Sequence, residues 1–281
     1  MGDVNITRDR VYGAAGERPL KLDLYRPAND QRSTAILLLH GGGWSQGSKA
    51  MLAEHAGQLA RDGFLAIVPE YRLTGEAIWP AQIHDVKRAI RWARAHAAEL
   101  GFDEDRLALQ GHSAGAHLAL LAAGTADDPR LDPPEGDGGV SANVAAVAAV
   151  YPPVLFYLGE VRPSGANAAR ALPGADASEE AAALASPINH VSADFPPVML
   201  LHGDADKVVP VSASRRFEEA LRAAGGRSDM HIFNGLPHGF GNNPEFRPGM
   251  MVMISAFFRR TVDEPEAFVV QAPVPQPAAA R

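Results

Sequence analysis

The five residues Gly111-His112-Ser113-Ala114-Gly115 constrain this chain more than any other stretch. Before them, Arg106-Leu107-Ala108-Leu109-Gln110 alternates as a buried strand does, and after them residues 117–123 read as a helix of small and apolar side chains. A serine at the apex of a tight strand-to-helix turn is held in a strained conformation that exposes its hydroxyl, while the glycines beside it let strand and helix approach without side-chain clash. The amide of Ala114 and the start of the helix face the same point, so negative charge arising there is stabilised. This is the arrangement of a nucleophile elbow. Short glycine-rich strings also occur in ordinary loops, and the remainder of the chain decides between the two.

Outward from the elbow, Val11-Tyr12 and residues 20–25 suggest an antiparallel hairpin at a sheet edge. Residues 35–39 form a continuous apolar run, the pattern of a strand buried on both faces of a parallel sheet, and further strands are expected at 64–69, 144–150, 197–202 and 230–233, with a helix as the alternative at 144–150 because its small residues leave the period ambiguous. Helices are expected at 50–61, along the face shared by Ile83, Val86, Ile90 and Ala93, and at 179–185, 214–224 and 250–260. This alternation describes an α/β domain with a mostly parallel central sheet and helices on both faces. Residues 1–263 are read as that single domain and 154–191 as a small lid insertion, because a segment of this length between sheet strands is more often functional than idle. The Pro/Ala-rich residues 264–281 lack core-forming periodicity and read as a disordered tail. Met250, Met251, Met253, Ile254, Phe257 and Phe258 of the closing helix are read as core, with a homodimer surface as the alternative.

The balance of 26 Lys and Arg against 33 Asp and Glu gives a formal net charge of −7, and no basic face is evident, which argues against nucleic acid or an anionic membrane as partner. Without cysteine, disulfides and thiolate metal sites are excluded. No His or carboxylate spacing suits a metal, so neither a metal nor another cofactor is expected. Met1 to Arg10 contain no apolar h-region and the apolar stretch 144–158 is broken by Pro152-Pro153, so a cytoplasmic protein is the expectation.

A serine hydroxyl becomes a useful nucleophile beside a histidine that takes its proton and is itself oriented by a carboxylate. In the elbow architecture these follow in the order Ser, acid, His, each on a loop at the carboxyl end of a later strand. Asp206, shortly after Leu201-His202-Gly203, and His238, in Leu236-Pro237-His238-Gly239-Phe240, satisfy that order. Asp204 competes, but it stands closer to the strand end and reads as a carboxylate satisfying loop amides, whereas Asp206 has room to turn back toward the histidine. His55, His84, His96 and His117 fall on expected helices, and His202 and His231 beside sheet-edge turns, where structural roles suffice. His40-Gly41-Gly42-Gly43 completes the set: amides of Gly42 and Gly43 can converge with that of Ala114 on a tetrahedral oxyanion, each such donor lowering the barrier by ~3–4 kcal/mol. Trp44 beside these glycines and His112 beside the serine are the candidate substrate-binding residues.

The strings His40-Gly41-Gly42-Gly43-Trp44, Tyr71-Arg72-Leu73, Trp79-Pro80-Ala81 with Asp85-Val86, Gly111-His112-Ser113-Ala114-Gly115 and His202-Gly203-Asp204-Ala205-Asp206-Lys207-Val208-Val209-Pro210 are similar to those of α/β-hydrolase-fold carboxylesterases. The likeness, over about residues 20–260, is to the hormone-sensitive-lipase-like and bacterial feruloyl/acetyl-xylan esterase families. It implies the α/β-hydrolase fold, Ser113, Asp206 and His238 as catalytic triad, and Gly42 and Gly43 in the oxyanion hole. His112 and Ala116 stand where hormone-sensitive-lipase-like enzymes commonly carry Asp and Gly, closer to the feruloyl and acetyl esterases. Only roughly 35 residues precede the first buried strand, too few for the long N-terminal cap of the former, so any lid comes mainly from 154–191.

The expected function is hydrolysis of small-molecule esters with short acyl chains through an acyl-enzyme intermediate, acetylated or feruloylated sugars among them. An amidase, arylformamidase or peptidase could use the same triad. A non-catalytic binding module on this scaffold is disfavoured by the intact serine, acid, base and oxyanion glycines.

Overall fold

The computed structural model describes residues 4–29, 32–136, 138–156 and 178–268. The chain opens with the hairpin β1 (Val4–Ala15) and β2 (Arg18–Pro27), turned at Gly16 with φ 61°. It is longer than the sequence pattern suggests, because most of β1 faces solvent and carries no apolar alternation. Then come β3 (Ala35–Leu39), α1 (Ala53–Arg61), β4 (Leu65–Pro69), α2 (Ala81–Ala95), α3 (Ala97–Leu100), β5 (Leu107–His112) and α4 (Ala114–Gly124). β6 (Val147–Val150), α5 (Glu179–Leu184), β7 (Val198–Gly203), α6 (Ser212–Ala223), β8 (Ser228–Phe233) and α7 (Arg247–Phe258) follow.

The strands form one sheet in the order β1-β2-β4-β3-β5-β6-β7-β8, antiparallel at β1–β2 and β2–β4 and parallel elsewhere. Every residue of β3 is buried, yet alternate side chains part to opposite faces. Leu37 and Leu39 pack with Ile83, Ile90, Leu118 and Phe217, whereas Ile36 and Leu38 pack with Leu59, Met251, Ile254 and Phe258. Thus α2, α4 and α6 cover one face and α1 and α7 the other, which is why β3 reads as an unbroken apolar run. The apolar face of α7 is core: Met250, Met251, Ile254, Phe257 and Phe258 are buried, and Met253 packs against them.

Parallel register sets Leu39 beside Gly111, His112 beside Val150, and Gly203 beside Phe233, so the loops that follow these strands gather along one edge of the sheet. Ligands of such sheets bind at this edge. Of the segment expected as a lid, residues 157–177 lie outside the described ones. Its two ends are fastened to each other, the Phe156 amide donating to Ser186 Oγ at 2.9 Å and the Ile188 amide to the Val154 carbonyl at 3.2 Å. Regular structure also runs past the expected domain boundary at 263. Glu264 accepts from Arg32 and Arg259, and Pro265–Phe268 make a 3₁₀ turn, which corrects the expected start of the tail; residues 269–281 lie outside the described ones.

Candidate active site

Ser113 stands between β5 and α4 at φ 52°, ψ −116°, a conformation that L-residues rarely adopt. Two glycines make room for it. A Cβ on Gly115 would lie 2.1 Å from the Leu39 carbonyl oxygen, and one on Gly111 2.3 Å from that of Gly115, so neither position tolerates a side chain. The Ser113 amide donates to the Val150 carbonyl at 2.9 Å, tying the apex to β6.

The structure brings Ser113, His238 and Asp206 into one line. His238 Nε2 is 2.9 Å from Ser113 Oγ, and its Nδ1 is 2.6 Å from Asp206 Oδ2. The amides of Val208 and Val209 both donate to Asp206 Oδ1, at 2.9 Å each. Burial opposes ionisation of Asp206, but donors on His202, His238 and the Val209 amide outweigh it and hold the carboxyl well below the usual carboxylate range. Asp204 instead accepts from the Gly235 amide at 2.6 Å and bridges the loops that follow β7 and β8.

Beside the serine, Gly42 and Gly43 adopt φ 120° and 59°, and the Gly42 carbonyl takes the amides of Ser45 and Gln46 in a tight turn. The amides of Gly42, Gly43 and Ala114 donate to no other group among the described residues. His40 supports this loop rather than lining it: its ring stacks on Tyr71 at 4.4 Å, and the Tyr71 hydroxyl donates to the His40 carbonyl at 2.8 Å. Gly42, Gly43, Ser113 and His238 line one cavity of about 340 Å³.

Trp44 lines the same cavity and is wholly buried, its ring 5.6 Å from Phe156. His112 is held from several sides. Its imidazole is packed beneath the serine, 3.2 Å from both the Tyr151 hydroxyl and Gln110 Nε2 and 4.7 Å from the His55 ring, and burial pushes its pKa well down. His112 lines the cavity together with Ser113 and is almost wholly buried. Two residues of the site are not singled out as functional by the sequence. Tyr151, at φ 43° just after β6, sets its ring 4.6 Å from that of His238, and His202 reaches Asp206 from β7. Met51 and Val208, 47% and 49% exposed, add apolar surface at the cavity mouth. Among the described residues no cluster of three or more His, Asp or Glu is arranged to hold a metal ion, and no helix is long and apolar enough to cross a membrane.

Comparison with known proteins bears on this geometry. The profile of the BD-FAE family matches residues 22–221. The probable carboxylic ester hydrolase LipM of Mycobacterium tuberculosis is 38% identical over 232 residues, 76% of this chain and 51% of its own length. The esterase LipC of the same organism is 34% identical over 268 residues, 90% of this chain and 65% of its own. The chain thus spans about half to two thirds of the length of these relatives. Among solved structures, esterase 2 of Thermogutta terrifontis with propionate bound is similar at TM-score 0.77 and 30% identity, with 96% of each chain covered. A truncated carbohydrate esterase from gut microbiota is similar at TM-score 0.78 and 29% identity, covering 92% of this chain and 96% of that one.

Proposed function

The chain belongs to the BD-FAE family of α/β-hydrolase-fold esterases, and from that premise we propose that it is a serine carboxylesterase acting on small esters of short acyl chains. The observation that carries this reading is the unbroken sequence of contacts from Asp206 to His238 to Ser113, 2.6 Å and then 2.9 Å, ending at a serine beside three unengaged amides. In this reading His238 Nε2 accepts the Ser113 proton as Oγ bonds to the acyl carbon. The carbonyl electron pair moves to oxygen, where the amides of Gly42, Gly43 and Ala114 stabilise it. Collapse of this intermediate breaks the bond to the alcohol oxygen, which leaves with the proton from His238. Water then repeats the sequence on the acyl-serine. Asp206 stays ionised throughout and holds the imidazole in the tautomer with its proton on Nδ1.

The likeness to an esterase solved with propionate and with butyrate bound supports the short acyl group, and its phosphonylation by sarin supports a reactive serine. The likeness to a carbohydrate esterase supports sugar acyl esters among the substrates. Turnover of p-nitrophenyl butyrate against the matched anilide tests the reaction, and mass-spectrometric mapping of an organophosphate label tests the nucleophile. We expect ester hydrolysis with the label on Ser113. Faster anilide cleavage, or a label elsewhere, overturns the reading.

A further inference from the structure

His202 lies near the end of β7, four residues before Asp206, and is wholly buried. Its Nδ1 is 2.7 Å from Ser214 Oγ on α6. Its Nε2 is 3.0 Å from the Val209 carbonyl oxygen and 3.3 Å from Asp206 Oδ2. Both neighbours of Nε2 are acceptors, a carbonyl and an ionised carboxylate, so this nitrogen must carry a proton. In the neutral ring Nδ1 then accepts from the Ser214 hydroxyl, itself buried and able to rotate toward it.

We propose that His202 is a positioning residue for the reaction: its Nε2–H clamps the Asp206–Val209 turn and leans on the same carboxylate oxygen that orients His238. The proposal rests on the esterase reading above. Val209 is gripped at both ends, its amide donating to Asp206 Oδ1 at 2.9 Å and its carbonyl accepting from His202 at 3.0 Å. The plane of the Asp206 carboxylate is therefore fixed from β7 as well as from its own turn. The ionisable groups that bear on Asp206 are His202, His238 and, across from β6, Tyr151. An N–H dipole directed at Oδ2 lowers the negative potential there, which makes the His238 imidazolium less stable. Removing that dipole strengthens the pull of the Asp206 carboxylate on the His238 ring.

His202→Leu keeps the volume without a donor, and His202→Gln retains an N–H within reach of Val209. For His202→Leu we expect kcat to fall roughly ten- to a hundredfold, KM to stay within about twofold, and the acid limb of kcat/KM to move to higher pH. His202→Gln should recover most of kcat and return the limb toward its original place. Equal losses in both variants with an unmoved limb, or no loss in His202→Leu, overturn the proposal. Nitrogen NMR of the histidine-labelled wild-type protein tests it without any variant: a proton on His202 Nε2 near neutral pH is required, and a proton on Nδ1 alone overturns it. A wild-type protein that turns over no ester refutes the esterase reading instead, and the nitrogen spectrum still decides the place of the proton.

Discussion

Trp44 donates its indole N–H to His117 Nδ1 at 3.1 Å, and both side chains are wholly buried. That bond leaves the His117 proton on Nε2, which donates to the Ala185 carbonyl at 2.8 Å. The glycine loop, the helix behind the serine and the returning end of the 154–191 segment are thereby joined through one imidazole.

A neutral His117 is thus built into the fold, and stability should depend on pH accordingly. Burial holds His117 down to about 4, and His55 likewise to about 4, against an ordinary 6.5. Below 6.5 the unfolded chain takes up protons that the folded one refuses until about 4. Unfolding free energy should therefore be full above pH 6.5 and decline toward pH 4, by up to about 3 kcal/mol for each ring. Urea denaturation across this window checks it, and a flat profile would contradict the neutral assignment.

The strain at Ser113 should be measurable as stability. With φ at 52°, glycine suits the position better than any L-residue. Ser113→Gly should raise unfolding free energy by about 1 kcal/mol after its own entropic cost, while Ser113→Ala should leave it nearly unchanged. Both should lose several orders of magnitude in kcat. A Ser113→Gly protein less stable than wild type would mean that the turn is relaxed.

Asp206→Asn and Asp204→Asn separate orientation of the base from closure of the loop. Asn at 206 cannot accept from His238 Nδ1 with the same charge and misorients the ring, a change that costs roughly 10⁴ in kcat. Asn at 204 keeps an oxygen for the Gly235 amide and should alter mainly melting temperature. Greater loss of kcat in Asp204→Asn than in Asp206→Asn would reverse the two roles.

The sequence makes the sheet legible where strands are buried on both faces, as in residues 35–39 and 198–203, because burial leaves an apolar run that nothing else explains. It also orders Ser113, Asp206 and His238, since chain order in this architecture follows strand order. β1 is hidden because an exposed edge strand needs no periodicity. α7 begins at Arg247, ahead of its apolar stripe, because Arg247, Pro248 and Gly249 contribute no buried side chain to the core. His202 and Tyr151 acquire their neighbours only when the loops after β6 and β7 close, which no local pattern records.

The acyl preference follows from the cavity. Its volume, about 340 Å³, lies near the lower end of the ~300–1,000 Å³ typical of small-molecule sites, and it must hold the alcohol as well as the acyl group. Trp44 is fixed in its wall by the bond to His117 and by Phe156, so it cannot swing aside without breaking buried contacts. Each methylene that leaves water contributes ~0.8 kcal/mol, about fourfold in kcat/KM, but only while space remains. Met51 and Val208 at the mouth are half exposed and can shield a methylene only partly. Across p-nitrophenyl esters from acetate to palmitate, kcat/KM should peak between acetate and butyrate and fall by octanoate. A maximum at octanoate or longer would require a channel beyond Trp44 and would refute the short-acyl assignment while leaving Ser113 as nucleophile.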